Sequence, residues 1–205
     1  PNMQQRIAEV AMIEGKVSIC ATEMLESMRT SHRPTRAEVA DVAGAVRQGF
    51  GAVMLSAETA TGYDPINAVT AMARICEANE THDGHKSFAD AHPTESAVGA
   101  ATAALAQRTG AASIIALTYS GYSSEILSAC RPGAQIIAAT PSHETARRLR
   151  LYWGVTPLIC QRNVDMSVAV DDAFNAALDA GLVQFNELVV VCASRENIRS
   201  AADTI

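Results

Sequence analysis

The 205-residue chain lacks any apolar run approaching the ~20 residues that a membrane-spanning helix needs. It lacks a basic excess: 16 Lys and Arg stand against 22 Asp and Glu, a net charge of −6, which excludes a nucleic-acid partner held by bulk charge. Its first residues, Pro1-Asn2-Met3-Gln4-Gln5-Arg6, lack the basic-then-apolar order of a leader, and a start on Pro1 reads as that of a processed or truncated chain. The five cysteines, Cys20, Cys76, Cys130, Cys160 and Cys192, lack any C-x-x-C pair. Cys20, Cys160 and Cys192 sit in or at the end of apolar, strand-like runs. Reduced, mostly buried thiols in a reducing compartment are therefore expected, with a cytoplasmic location, rather than a disulfide or zinc framework.

What is present is length enough to bury a real core, as one large domain or two small ones. Apolar runs alternate with helix-period segments almost throughout. Strands are predicted at Val17–Ala21, Ala52–Ser56, Ser113–Thr118, Gln135–Ala139, Thr156–Cys160 and Leu188–Cys192. They are apolar on both faces, as strands covered by helices on both sides must be. Thr35 with Glu38 reads as a capping box, and Val39, Val42, Ala43 and Val46 follow at helical spacing. Asp64-Pro65 reads as an N-cap with proline in the first turn, followed by the stripe Ala68, Val69, Met72, Ile75 and Cys76. Thr94 is placed to cap a helix through Arg108, and Ser142 another. Met166–Ala180 reads as an amphipathic helix closed by Gly181. Repeated β-then-α units imply an α/β fold with parallel sheet. The stretch 81–93, polar and carrying His82, His85 and His92, reads as a solvated linker between segments 1–80 and 94–205. Two parallel strands cannot close a barrel, so segment 1–80 is expected to lean on something outside this sequence.

Functional groups of parallel β/α folds collect at the carboxyl ends of strands. Here those ends carry Thr22-Glu23 and Ser56-Ala57-Glu58-Thr59. Neighbouring hydroxyls and carboxylates can pass a proton through ordered water, and the same residues serve equally as ordinary helix caps. The run Thr118-Tyr119-Ser120-Gly121-Tyr122-Ser123-Ser124 ends one strand and opens a helix. Its hydroxyls, glycine and helix N–H groups suit a phosphate, or simply a cap. Arg147, Arg148 and Arg150 read as an exposed or intersubunit face, and Trp153 as packing beside a turn.

Three ordered blocks resemble the last part of the catalytic barrel of pyruvate kinases. They are Ile19-Cys20-Ala21-Thr22-Glu23-Met24-Leu25-Glu26-Ser27-Met28, Arg33-Pro34-Thr35-Arg36-Ala37-Glu38-Val39 and Val53-Met54-Leu55-Ser56-Ala57-Glu58-Thr59-Ala60. The runs Arg131–Thr140, Thr145–Leu149 and Leu151–Val155 resemble that family's C-terminal domain. The resemblance implies a partial (β/α)8 barrel, its last strands and helices, over 1–80, then a three-layer α/β domain with mostly parallel sheet over 94–205. It implies phosphoryl transfer from phosphoenolpyruvate to ADP, giving pyruvate and ATP in glycolysis, with this chain a fragment that is inactive without the upstream barrel. It implies catalytic roles for Thr22, Ser56 and Glu58, with Thr22 and Glu23 beside the substrate. It implies that Thr118, Ser120, Gly121 and Ser123 hold a phosphate of an effector. The family's glycine-rich loop with a tryptophan is missing after Cys192, and for a single phosphate Arg195 or Arg199 are candidate partners read from this sequence itself. Mg2+ (or Mn2+) and K+ are implied too, with ligands outside this chain and no metal held by it. A homo-oligomer, a tetramer by resemblance, or docking to the absent barrel segment follows in the same way.

The family usually has glutamine at Glu23, glycine at Ala57, asparagine at Gly44, lysine at Thr61, proline at Val17 and arginine at Trp153. These departures open a second reading, a non-catalytic scaffold or binding subunit of a larger assembly. A third is a stand-alone phosphate sensor built on Thr118–Ser124.

Overall fold

The computed structural model describes residues 2–80, 91–94, 96–161, 163 and 165–193. The chain divides into two compact units, Pro1–Asp83 and Gly84–Ile205. His82, His85, Arg195 and Arg199, and most of the expected linker, lie outside the described residues.

The first unit runs α1 (Asn2–Ile13), β1 (Ile19–Cys20), a 3-10 turn (Glu26–Arg29), α2 (Arg36–Arg47), β2 (Ala52–Val53), α3 (Ala57–Ala60) and α4 (Pro65–Asn79). The two strands are parallel, with Ile19 opposite Ala52 and Cys20 opposite Val53. Each is much shorter than the five residues expected from its apolar run. Each finds only one neighbour among the described residues, and the ladder joins only Ile19 to Ala52 and Cys20 to Val53. The predicted helix starts are present. Thr35 and Glu38 make a reciprocal capping box on α2, and Asp64 accepts from the Asn67 amide at 3.0 Å with Pro65 in the first turn of α4. Ala68, Met72 and Ile75 of α4 pack against Val42, Ala43 and Ala45 of α2 and against Leu25 and Met28. Val69, expected in that stripe, is instead 54% exposed. It stands beside the equally outward Ile66, on a face of α4 rotated away from α2.

The second unit has a four-stranded parallel sheet in the order β5-β4-β3-β6. Its elements are α5 (Ala97–Thr109), β3 (Ser113–Leu117), α6 (Tyr122–Ala129), β4 (Gln135–Thr140), α7 (His143–Leu149), β5 (Val155–Ile159), α8 (Met166–Asp179) and β6 (Val189–Cys192). The period-two alternation of a strand divides its side chains between two layers. Ile114, Ala116, Ile136, Val190 and Cys192 pack with Ala106 of α5 and Leu127 of α6. Ile115, Ile137 and Ala139 pack with Ala173 and Ala177 of α8 and with Val183. The result is a three-layer α/β unit. Ser142 caps α7 by accepting from the Thr145 amide at 3.2 Å, and α8 ends on Ala180 with Gly181 in the left-handed region. Thr94 does not cap its helix. α5 starts at Ala97, because the Ser96 hydroxyl donates back to the His92 carbonyl at 2.7 Å and sets the entry turn. All five cysteines are free; Cys192 is buried and the others half-buried.

Candidate functional site

Because β1 and β2 are parallel neighbours, their carboxyl ends open on the same side of the first unit. The chain leaves β1 through Thr22 and Glu23, which adopt φ +69° and +54°. Neither is glycine, and a β-branched residue in the left-handed region is an outlier costing about 1–3 kcal/mol. Such backbone persists only when its surroundings hold it. Here Leu25, fully buried, follows at once, and its amide donates to Glu58 Oε1 at 3.1 Å.

Glu58 is 0% exposed. Its second oxygen accepts from the Ser56 amide at 2.8 Å. One carboxylate thus stitches the loop after β1 to the loop after β2. Burial pushes the Glu58 carboxyl up, but hydrogen bonds from its own main chain and from Ser56 and Leu25 outweigh that and hold it below the usual carboxylate range. At neutral pH Glu58 is ionised, with no proton to give; what it does is fix two loops. Gly62 closes the turn behind it. A Cβ there would fall 2.8 Å from the Glu58 carbonyl carbon, so only glycine fits.

Of the residues singled out in the sequence, Ser56, Glu58 and the loop bearing Thr22 and Glu23 are brought to one end of the unit. The Thr22 hydroxyl is not linked to the other two: it donates to the neighbouring Ala21 carbonyl at 2.6 Å, and Thr22, Glu23 and Ser56 are all exposed. Ser56 makes no side-chain cap on α3. The sequence reading missed Ser27. Its amide and hydroxyl donate to Glu38 at 2.7 and 2.5 Å, tying the 3-10 turn to the start of α2. The signal for it was the lone pairs that a capping-box carboxylate leaves unused.

In the second unit Gly121, at φ +93°, lets the chain turn from β3 into α6. Thr118 Oγ1 accepts from the Gly121 amide at 3.0 Å and Ser120 Oγ from the Tyr122 amide at 3.4 Å. Both hydroxyl protons remain for an incoming acceptor, and the first-turn amides of Ser123 and Ser124 have no intrahelical acceptor. Ser123 and Ser124 are buried, and Ser124 Oγ has no hydrogen-bond partner. Arg148, part of an exposed basic face on the sequence pattern, belongs to this loop. It donates to the Ser120 carbonyl and pairs with Glu125 at 3.0 Å. Tyr152 leans on the same carboxylate; burial first, then the Glu125 charge and hydrogen bond, push its phenol up against the opposing pull of Arg148. Trp153 is a packing residue, with the Arg131 guanidinium 4.8 Å from its ring centroid and Ser128 Oγ donating to its carbonyl at 2.7 Å.

Among the described residues no group of three or more His, Cys, Asp or Glu is arranged to hold a metal ion. No helix among the described residues is long and apolar enough to cross a membrane.

Two family models match. One described as "Pyruvate kinase, barrel domain" covers residues 1–69, and one described as "Pyruvate kinase, alpha/beta domain" covers 96–205. Curated relatives named pyruvate kinase include one from Agrobacterium vitis, 41% identical over 197 residues, covering 93% of this chain and 42% of the relative. Another, from Methylorubrum extorquens, is 44% identical over 194 residues, covering 92% of this chain and 40% of the relative. A pyruvate kinase 2 from Synechocystis sp. is 38% identical over 208 residues, covering 100% of this chain and 35% of the relative. The chain thus spans about two fifths of the length of the first of these relatives.

Proposed function

The chain belongs to the pyruvate kinase family, and from that premise we propose that it supplies the closing part of a catalytic barrel and a C-terminal regulatory domain. On this reading segment 1–80 is barrel, 81–93 linker and 94–205 the effector-binding domain. The reaction is the family's: the phosphorus–oxygen bond of phosphoenolpyruvate breaks, an ADP oxygen takes the phosphoryl group, and the enolate left behind takes a proton at carbon to give pyruvate.

Within that reaction Thr22 lies beside the enolate carbon. Rotation about its Cα–Cβ bond turns its hydroxyl from the Ala21 carbonyl toward substrate, and the exposed Ser56 hydroxyl is the next group through which a proton travels. Glu58 holds both loops in register. The observation that carries this reading is the buried Glu58 carboxylate joining two strand-end loops, one of which keeps two non-glycine residues in left-handed backbone. The phosphoryl-stabilising lysine and the ligands of Mg2+ and K+ come from the upstream barrel, so the chain alone is inactive. Thr118, Ser120, Gly121 and Ser123 take a phosphate of an effector at the start of α6. The working protein is a cytoplasmic homo-oligomer, and segment 1–80 docks against the rest of the barrel.

The test is to join or coexpress this chain with the upstream part of the Agrobacterium vitis relative and measure ATP formation from phosphoenolpyruvate and ADP. Thr22→Val should slow enolate protonation, read by deuterium uptake into pyruvate, more than it weakens substrate binding. An assembly that is fully active without the Thr22 hydroxyl removes Thr22 from the mechanism. The competing reading, a non-catalytic scaffold, is favoured by the exposed Glu23 carboxylate beside Thr22, which opposes an anionic substrate. A folded assembly that makes no ATP, either with Glu23 in place or after the Glu23→Gln change, supports the scaffold.

A further inference from the structure

Four donors converge on Glu38. Its Oε1 accepts from the Ser27 amide at 2.7 Å, and its Oε2 from the Ser27 hydroxyl at 2.5 Å, the Thr35 amide at 2.7 Å and the Thr35 hydroxyl at 2.9 Å. A capping box needs only the Thr35 half of that set. The Ser27 half reaches out of α2 to the 3-10 turn Glu26–Arg29. That turn is the first regular structure after the strained pair Thr22 and Glu23. Between them the chain is held by burial of Met24 and Leu25 and by the bond from the Leu25 amide to Glu58. Glu58 therefore anchors the near side of the loop, and Glu38 the far side.

We propose that Ser27 and Glu38 form a positioning pair that fixes the 3-10 turn on the amino end of α2 and thereby holds Thr22 and Glu23 in their left-handed backbone. Neither residue touches substrate. Their functional meaning rests on the reading above, in which Thr22 serves enolate protonation. Burial pushes the Glu38 carboxyl up, and the bonds from Ser27 and Thr35 pull it below the usual range, so at neutral pH it is the ionised acceptor that all four donors require.

The pair can be separated from plain helix capping, because each half contributes one side-chain hydroxyl of its own beside a main-chain amide that any substitution keeps. Thr35→Ala removes the cap hydroxyl and leaves the Ser27 bonds. Ser27→Ala removes the hydroxyl bond from the turn to Glu38, and leaves the Ser27 amide bond and the capping box. Glu38→Gln weakens both. In the 205-residue chain a strong intraresidue HN–Hα NOE, together with the carbon shifts of Thr22 and Glu23, reports positive φ. The wild type and Thr35→Ala should keep that signature, while Ser27→Ala and Glu38→Gln should move it at least halfway to extended-chain values. If Glu38→Gln fails to fold, Ser27→Ala carries the comparison.

In the assembled enzyme Ser27→Ala should lower kcat about tenfold with the KM for phosphoenolpyruvate nearly unchanged, as expected for a misplaced group that acts after binding. Thr35→Ala should leave kcat within about twofold, since it removes stability and not aim. A Ser27→Ala chain that retains the left-handed signature of both residues overturns the inference, whatever the kinetics. A wild-type assembly that makes no ATP overturns the functional reading alone, and the backbone signature still decides the positioning pair.

Discussion

Replacing Glu58 by glutamine tests the first unit at its most constrained point. The carboxylate is fully buried and accepts two main-chain amides, from Leu25 at 3.1 Å and Ser56 at 2.8 Å. Glutamine keeps one acceptor oxygen and turns an NH2 group toward the other amide. One of the two amides is then left without a partner, a loss of about 1–3 kcal/mol that is greatest at the buried Leu25, and the charge assistance of the second bond is lost as well. The sum is about 2–4 kcal/mol, which corresponds to a fall in hydrogen-exchange protection of roughly 30- to 1,000-fold at both amides. Exchange of Leu25 and Ser56, followed residue by residue, is the assay, because global unfolding of a two-unit chain mixes two transitions.

The same contact has a pH signature. The folded carboxyl titrates below its ordinary value of 4.5, so between the two values the unfolded chain binds the extra proton and stability rises with pH. The Glu58 contribution is fully present above about pH 5 and disappears as pH falls through the folded value. Glu58→Gln should flatten that slope. Protection at Leu25 and Ser56 that stays within about threefold of wild type, with the acid slope intact, would refute the assignment of Glu58 as the stitch between the two loops.

Gly62→Ala forces a methyl group into the Glu58 main chain and should cost about 1–3 kcal/mol, seen as a lower urea midpoint for the first unit. Glu23→Gln removes the exposed negative charge beside Thr22, and on the proposed reading should lower the KM of the assembled enzyme for phosphoenolpyruvate by about three- to fivefold, the effect of roughly 1 kcal/mol of like-charge repulsion in water. Burial pushes the Cys130 thiol up to about 11. At pH 8 it should therefore react with a thiol reagent far more slowly than the other half-buried cysteines, and at an ordinary rate once the chain is unfolded in urea.

The architecture was legible because each level pointed the same way. Thr35 with Glu38, Asp64-Pro65 and Ser142 mark helix starts by local hydrogen-bond chemistry, and the structure makes all three caps. Strands of the second unit are readable from runs apolar on both faces, and four of them find partners at nearly the expected positions. The strands of the first unit fall short of their apolar runs because apolarity records burial, while strand length records available neighbours. Val69 departs for a related reason: spacing alone does not say how wide the covered stripe on α4 is. The candidate site was legible only in its residue types. That Glu58 would reach the Leu25 amide, or that Arg148 would fold back on Ser120, depends on contacts across 33 and 28 positions of sequence, which no local pattern encodes.

Strain gives the strongest reason to locate function at the end of β1. A two-residue strand pair offers few bonds, and Ile19 within it is 48% exposed, so the sheet itself does little to hold the loop that follows. Thr22 and Glu23 nevertheless keep left-handed backbone without glycine. Nothing in their own side chains explains that, since the Thr22 hydroxyl bonds only to the adjacent carbonyl and Glu23 is exposed. The compensation comes from two acids further along the chain, Glu58 and Glu38, both held ionised by the amides and hydroxyls they accept. Folding alone would be served better by a glycine at either position, which would relieve the strain without any anchor. A loop that keeps its side chains under strain and recruits two carboxylates to hold them is built to aim those side chains. The consequence is measurable: Thr22→Gly should stabilise the first unit while abolishing the hydroxyl-dependent step in the assembled enzyme, and a destabilised Thr22→Gly chain would mean that the left-handed geometry costs the fold less than the roughly 0.5–1 kcal/mol that glycine loses through the unfolded chain.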